Sequence, residues 1–276
     1  MKMKKKHKWS FASVIGLSLL IIFAIICIAP FIYMLIMSFT QSTTLMITWN
    51  DINFGDFSNY KHVFTKSGFL TALKNSLIVV IGSCFFNCVI ASMAAYGFEK
   101  KNFPGKELIF KIYMLTLMIP GQVTMIPVFI IMKKMGLLNT YFALIVIILN
   151  AFGVFLIRQF MEGVPNELLE AAKVDGCPEF LIFLKIVIPL IKPVLISLVV
   201  FTFVTSWNDF MWPLVSTSKS EMYTLTVSLS LLKTQYQTSY GLIMAGATVS
   251  FMLPFVLYAF LQKQFVEGIA LGGVKG

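Results

Sequence analysis

Continuous apolar runs, each of about 20 residues and separated by short polar segments, dominate this chain. A bilayer core of about 30 Å needs roughly 20 apolar residues to be crossed by one helix. The runs are continuous and do not alternate with polar residues, which favours helices over the strands of a membrane β-barrel. The pattern therefore predicts an all-α polytopic membrane protein.

Six runs are long enough to be predicted as transmembrane helices, and they cover residues 11–39, 75–98, 108–132, 141–160, 193–214 and 241–261. The first run follows the basic segment 2–8, as the apolar region of a secretory signal would. Signal peptides have apolar regions of about 7–15 residues, roughly half the length of this run. We therefore expect a retained helix, followed by an ordered external loop over residues 40–74.

Helix-breaking residues interrupt the third run at Pro120-Gly121 and at Pro127. Proline removes a backbone donor and clashes with the preceding turn, so this helix is expected to be bent or partly unwound. The interruption is either a kink required by packing or a place where free backbone carbonyls near Gln122 line a pathway.

The distribution of lysine predicts the orientation of the runs. With the N-terminus inside, 15 of the 22 Lys and Arg residues fall on the cytoplasmic side and 7 on the outer side, with Lys133-Lys134 as the exception. This bias follows the positive-inside rule and accounts for the net charge of +10. No nucleic-acid partner is expected, because no basic and aromatic binding platform accompanies the charge. The orientation places both termini and residues 161–192 in the cytoplasm.

A polar segment, residues 161–192, separates the fourth and fifth runs. Pro165 suits the first turn of a helix, and Gly176 suits the residue with positive φ that ends one. Glu170 and Lys173 between them are spaced for an ion pair on one face of that helix. The segment therefore begins with a short predicted helix and a tight turn.

Apolar residues on two predicted helices would hold this polar segment against the rest of the protein. On the first helix they are Leu168, Leu169 and Ala172. On the second helix, which is expected to begin at Pro178-Glu179 and to end at Pro189, they are Phe180, Phe183 and Leu184. From these residues alone, the helix–turn–helix is either a docking element or an interfacial hairpin that only connects two spans.

Seven residues of the segment form a recognisable signature: Glu170, Ala171, Ala172, Asp175, Gly176, Ile186 and Pro189. They resemble the EAA loop of ABC-transporter membrane subunits. The resemblance to ABC-transporter membrane subunits extends over about residues 70–276. The segments that carry it are 75–77, 94–98, 103–106, 119–123, 136–140, 206–210 and 267–276. Together these segments resemble carbohydrate permeases of the maltose-transporter type, and none of them is specific for one sugar.

This resemblance implies the fold of a type I ABC importer, with six transmembrane helices and residues 161–192, hereafter the coupling hairpin, docking onto a separate ATPase. The implied partners are a second homologous permease subunit, two ATPase subunits and an extracellular or periplasmic sugar-binding protein. The implied location is the bacterial cytoplasmic membrane. No cofactor is expected on this chain, which has no G-x-x-x-x-G-K-[ST] loop, so ATP and Mg²⁺ would bind to the ATPase.

Three regions follow from the resemblance. Residues 1–70 would form an N-terminal region with the first transmembrane helix, residues 71–265 the permease core, and residues 266–276 a cytoplasmic tail. Three residues of the tail would contact the ATPase, namely Glu267, Gly272 and Gly273. The alternative for the tail is a frayed terminus.

The candidate residues of a substrate pathway are Trp207, Asn208 and Asp209 near the outer end of the fifth run, with Gln122 in the third run. An acid inside an apolar run is costly and suggests function. Asp209 would bind sugar hydroxyls and Trp207 would stack on a sugar ring; alternatively, Asp209 caps a helix or holds an external gate.

The main alternative from another functional class is a self-sufficient secondary transporter that uses Asp209. Such a transporter needs several buried carboxylates or histidines as a relay, and Asp209 is the one residue that qualifies. Neither a catalytic nor a metal site can be assembled from two histidines, four cysteines and few acids. An enzyme is therefore not expected.

Overall fold

The computed structural model describes residues 11–46, 51–66, 68–236 and 239–273, and its regular elements are helices. The α-helices are α1 (Phe11–Met37), α2 (Ser58–Lys66), α3 (Phe69–Lys100), α4 (Lys106–Leu115), α5 (Gly121–Lys134), α6 (Tyr141–Val146), α7 (Ala151–Met161), α8 (Asn166–Val174), α9 (Glu179–Ile182), α10 (Ile188–Leu190), α11 (Lys192–Asn208), α12 (Met211–Ser216), α13 (Leu225–Gln235) and α14 (Tyr240–Gly273). The remaining helical turns are 3-10 segments at Thr116–Met118 and Ser220–Met222 and a π-helical segment at Phe183–Val187.

Three helices in the described part of the chain are long and apolar enough to cross a membrane in one piece. They are Ser13–Met37, Phe69–Lys100 and Tyr240–Phe260. They match the first, second and sixth predicted runs. The most apolar stretch of Ser13–Met37 contains no buried residue, as expected of a helix whose side chains face hydrocarbon.

Two further spans are bent, which raises the count to five if each bent pair is one span. Lys106–Met118 meets Gly121–Lys134 at 101°, and Glu179–Leu190 meets Lys192–Asn208 at 77°. Pro120 lies in extended conformation at the first bend, so the predicted interruption at Pro120-Gly121 is confirmed. The interruption predicted at Pro127 is wrong, because Pro127 lies within α5. The second bend does not fall at Pro189, which was expected to end a helix. Pro189 lies within α10, which ends at Leu190 with Ile191 as its C-cap.

The prediction of one uninterrupted helix over residues 141–160 is wrong. Residues 147–150 separate α6 from α7. Asn150 has an extended backbone, and its Oδ1 accepts a hydrogen bond from Phe152 N at 3.0 Å, so it is the N-cap of a new helix. The fifth run likewise ends earlier than predicted, because α11 stops at Asn208.

Contacts divide the chain into two compact units, residues 1–64 with 232–249 and residues 65–231 with 250–276. In the first unit, part of the predicted external loop is ordered. Asn59 Nδ2 donates to the carbonyls of Ser38 and Thr40, at 3.0 and 2.8 Å.

Asp56 accepts hydrogen bonds at the start of α2. The hydroxyl and backbone amide of Ser58 and the amide group of Gln41 lower the pKa of Asp56 below its ordinary value. The same bonds fix the chain where it enters α2, as in an Asx turn.

The second unit is built around α3, which packs against α7 and α11. Its main core contains Ala91, Ala95, Tyr96, Val154, Ile157, Met161, Val164, Leu169, Ile182, Phe183, Val187, Ile191, Val194 and Leu198. Gly153 of α7 allows a close approach, since a Cβ built there would lie 3.1 Å from Ala91 Cβ and 3.2 Å from Leu198 Cδ1. Small residues at such contacts let membrane helices pack closely.

Candidate functional site

The coupling hairpin folds as a helix, a tight turn and a second helix. Pro165 precedes α8 in extended conformation, and Gly176 follows it with φ of +74°. Gly176 N donates to Lys173 O at 3.0 Å and Cys177 N donates to Ala172 O at 2.9 Å. These two bonds define a Schellman motif, in which glycine supplies the left-handed residue at no steric cost.

One face of α8 belongs to the core of the second unit. Leu169 is buried and Ala172 is half-buried against that core. Burial of one leucine contributes about 1.5–3 kcal/mol, so α8 is held in place by its apolar face. Leu168, which was expected on this face, is 46% exposed.

The opposite face of α8 is not covered by any of the residues that the structure describes. Glu170, Ala171, Asp175 and Gly176 are exposed, and Val174 is 88% exposed. This face of α8 is therefore open to contact with another molecule, beside a turn whose conformation is fixed.

The second half of the hairpin is anchored by other residues than expected. Ile182, Phe183 and Val187 are buried in the core, whereas Phe180 and Leu184 are exposed. Phe183 is thus the one expected anchor that is buried.

Polar contacts in the coupling hairpin also differ from the expectation. The expected ion pair between Glu170 and Lys173 is replaced: Lys173 Nζ lies 4.0 Å from Glu179 Oε2 at the start of α9. Two residues of the sequence signature lie on the second half of the hairpin, Ile186 half-buried in the π-helical segment and Pro189 exposed in α10.

The tail continues the last helix. The backbone of Glu267, Gly272 and Gly273 is helical as part of α14. The side chain of Glu267 and residues 274–276 lie outside the described residues, so the predicted contact of the tail with an ATPase stays a prediction.

A second feature is a cavity of about 320 Å³ in the second unit. Three interruptions of helices converge on it: the bend before Gly121, the break after α6 at Ile147-Ile148, and the break after α11 at Asp209. Gln122 and Thr205 also line the cavity. Helix breaks at membrane depth are tolerated where they line a cavity, so this cavity is a candidate ligand site.

Asp209 lines this cavity and is also tied to the backbone around it. Its Oδ1 lies 3.5 Å from Trp212 N at the start of α12, and its carbonyl accepts a bond of 2.7 Å from Thr226 Oγ1. Trp212 lines the cavity and donates from Nε1 to Ala143 O at 2.9 Å. The carboxylate therefore lies both at a helix N-terminus and in the cavity wall.

Trp207 and Asn208 do not join Asp209 in the lining of the cavity. Trp207 is 5% exposed, donates from Nε1 to Ser250 O at 3.2 Å, and is stacked on Phe203 with ring planes 9° apart. Asn208 is exposed and donates from Nδ2 to Val204 O at 2.8 Å. The expected stacking of Trp207 on a sugar ring is not supported by this placement, because the ring is already packed.

Three residues with notable contacts, Thr205, Trp212 and Arg158, carry no clear signal of function in the sequence. The first two line the cavity only because three distant breaks meet there. Arg158 binds Glu99 and Glu107 at the ends of α3 and α4. Its one available signal was composition, since it is the single arginine in the chain.

Comparison with known proteins connects these features. Residues 87–270 match the family model described as the binding-protein-dependent transport system inner membrane component. The arabinooligosaccharides transport system permease protein AraQ of Halalkalibacterium halodurans is 34% identical over the full length of both chains. The lactose transport system permease protein LacG of Rhizobium radiobacter is 33% identical, over 95% of this chain and 96% of its own.

Solved structures show the same fold. A subunit of a bacterial ABC transporter involved in the import of the acidic polysaccharide alginate superposes with a TM-score of 0.80 and 24% identity, over 96% of this chain and 100% of that one. A chain from the alginate transporter in complex with an alginate pentasaccharide-bound periplasmic protein gives a TM-score of 0.65 with 18% identity, over 90% and 91% of the two chains. The exposed turn of the coupling hairpin, the broken helices around one cavity and these similarities agree, and the chain belongs to the family of binding-protein-dependent transport system inner membrane components.

Proposed function

We propose that this chain is one of two permease subunits of an ATP-driven sugar importer in the bacterial cytoplasmic membrane. The observation that carries the proposal is the coupling hairpin. One face of α8 is fixed to the core, while Glu170, Ala171 and Val174 remain exposed beside the rigid turn at Gly176. A preorganised helix with a free face is suited to insertion into a groove of a partner, here the cleft of an ATPase subunit.

The assembly would contain a second homologous permease, two ATPase subunits and an external sugar-binding protein. The three long helices, the bent pair Lys106–Met118 with Gly121–Lys134, the broken pair α6–α7, and α11 would together give six spans, with residues 161–192 and both termini in the cytoplasm. ATP and Mg²⁺ would act on the ATPase subunits, whose closure would draw the coupling hairpins together and open the pore outward. Glu267, Gly272 and Gly273 at the end of α14 would extend this contact.

The cavity favours an uncharged oligosaccharide over an acidic one. Among the residues that line it in the described chain, Asp209 is the one with a charge, and that charge is negative. A carboxylate accepts hydrogen bonds from sugar hydroxyls but repels the carboxylates of a uronic acid polymer. The relatives named for arabinooligosaccharides and lactose are therefore better guides to the substrate than those named for alginate.

The partnership with an ATPase is tested by affinity purification from membranes, with this chain as bait. Ala171→Trp places a bulky ring on the exposed face of α8, where the chain itself leaves room. Met135→Trp, at a 62% exposed position after α5, is the matched control. We expect the wild type and Met135→Trp to recover a second permease and an ATPase, and Ala171→Trp to recover the permease without the ATPase.

Recovery of the chain alone, equally in all three samples, would overturn the importer and favour a secondary transporter centred on Asp209. The substrate class is tested separately in cells that express the complete transporter. Labelled arabinotriose and lactose are compared with a labelled alginate trisaccharide, and uptake of the alginate fragment in preference to both neutral sugars would contradict the assignment to uncharged substrates.

A further inference from the structure

Polar side chains at the C-terminal end of α3 contact both helices of the coupling hairpin. Lys100 Nζ donates to Val164 O at 2.6 Å and to Asn166 Oδ1 at 3.0 Å, just before and at the start of α8. Tyr96 and Lys101 both bind the carboxylate of Glu179, the first residue of α9. The two helices of the hairpin are therefore tied at their N-terminal ends to the same turn of α3.

A third contact joins this turn of α3 to the helix that leads into the hairpin. Near the end of α7, Arg158 Nε lies 3.0 Å from Glu99 Oε2 of α3, and Arg158 Nη2 lies 3.1 Å from Glu107 Oε1 of α4. The Arg158 guanidinium carbon is 3.9 Å from the centroid of the Phe110 ring, and its side chain is only 15% exposed. These contacts fix the point from which the chain enters the hairpin.

The choice of arginine at this position is informative. The chain has 22 Lys and Arg residues, and Arg158 is the single arginine among them. A planar guanidinium can bind two carboxylates and stack on an aromatic ring at once, whereas a lysine ammonium is a compact point charge without that geometry. The one arginine thus stands where three elements, α3, α4 and α7, are joined by one side chain.

We call the contacts made by Tyr96, Glu99, Lys100 and Lys101 the α3 clamp. Apolar packing between the hairpin and the core is non-directional and tolerates small displacements of one helix against another. Charge-assisted hydrogen bonds are directional and fix orientation. The clamp therefore supplies what the shared apolar core does not, a fixed orientation of the hairpin relative to α3.

We propose that the α3 clamp makes the coupling hairpin and α3 move as one rigid body, with Arg158 as a positioning residue. A displacement imposed on the exposed face of α8 is then passed directly to α3, and from α3 to α7 and α11, which pack against it. This inference rests on the proposed function, because an ATPase is the source of the displacement. Without the clamp, the hairpin would yield locally and leave α3 in place.

The test measures the distance between two spin labels within this chain in the complete transporter, after replacement of the four native cysteines. Phe180→Cys on α9 and Ile81→Cys on α3 are both 65% exposed, accept labels without repacking and lie outside the face of α8 that is proposed to bind the ATPase. Distances are compared in the nucleotide-free complex and in the complex trapped with Mg-ATP and vanadate. For the parent chain, we expect the distribution of label-to-label distances to have the same mean and width in both states. For Arg158→Lys and for Lys100→Met, we expect this distribution to be shifted and broadened in the trapped state.

Lys111→Met, on the exposed side of α4 and outside the clamp, is the matched control and should behave as the parent chain. A distance that changes on trapping in the parent chain, or one unaffected by the clamp variants, would overturn the proposal. If Arg158→Lys does not assemble, Glu179→Gln removes a clamp charge with little change in shape and decides the question. Absence of an ATPase from the purified parent complex would instead refute the proposed function, before any label distance is measured.

Discussion

The free-energy cost of adding one methyl group by Gly176→Ala can be worked out from the geometry of the turn. The φ of Gly176 is +74°, and a Cβ built there would meet nothing within 4 Å. Gly176→Ala therefore introduces no clash, and its cost is the strain of a left-handed conformation, about 1–2 kcal/mol. Since every 1.4 kcal/mol is a factor of ten, the correctly formed turn becomes about 5–30-fold less favoured relative to alternatives.

If the ATPase binds the hairpin only with this turn formed, its affinity should fall with the fraction of chains in which the turn is formed, by at most the same factor. The measurement is a titration of the purified permease pair, in lipid nanodiscs, with the isolated ATPase subunit. Gly176→Asn should lose less affinity, because asparagine visits the left-handed region more readily than alanine does. Gly97→Ala, within α3 and with no neighbour within 4 Å of its Cβ, is the matched control and should not weaken binding.

Equal affinity of Gly176→Ala and the wild type would refute the argument that the ATPase requires the left-handed turn. Equal losses for Gly176→Ala and Gly97→Ala would refute it too, since the loss would then follow the added methyl group and not the backbone conformation.

Three further predictions concern packing and the cavity. Gly241→Ala would place a Cβ 1.9 Å from Thr40 O, and such overpacking costs about 1–3 kcal/mol. The purified transporter should therefore unfold at a lower temperature, and an unchanged midpoint of thermal unfolding would contradict the close approach. Gly153→Leu should separate α7 from Ala91 and reduce the yield of assembled transporter in size-exclusion chromatography, and normal assembly would contradict the packing. Asp209→Asn keeps a hydrogen-bond acceptor in the cavity and should retain oligosaccharide uptake, whereas Asp209→Leu should lose it. If the Asn variant loses uptake, and if uptake by the wild type is driven by a proton gradient, secondary transport would be favoured instead.

Local backbone rules predicted those parts of the site that depend on one or two residues. The helix end at Gly176 and the bend at Pro120 follow from the restricted backbone of glycine and proline and need no tertiary information. The break at Asn150 was missed because residues 141–160 are apolar and contain no proline, and one capping asparagine is a weak signal against that background.

Features that arise from tertiary contacts could not be predicted from the sequence. The cavity exists because the breaks near Gly121, Ile147 and Asp209 meet in space, although they are far apart in the chain. The expected anchor Phe180 is exposed and Ile182 is buried instead, because the core selects another face of α9 than the one chosen from hydrophobic spacing.

The π-helical segment at Phe183–Val187 has a consequence for how this region can change during evolution. A π-helical turn is in effect a helix with one residue more than α-helical spacing would place there. Deletion of one residue within this segment would restore α-helical spacing and leave Glu179 near its present angle to the helix that follows, whereas a deletion elsewhere between Glu179 and Lys192 would rotate it by about 100°. By composition residues 161–192 are a connecting loop, where insertions and deletions are ordinarily tolerated. Between Glu179 and Lys192, however, the length of the chain sets an angle, so single-residue insertions and deletions outside the π-helical segment should be excluded there even where every substitution is conservative.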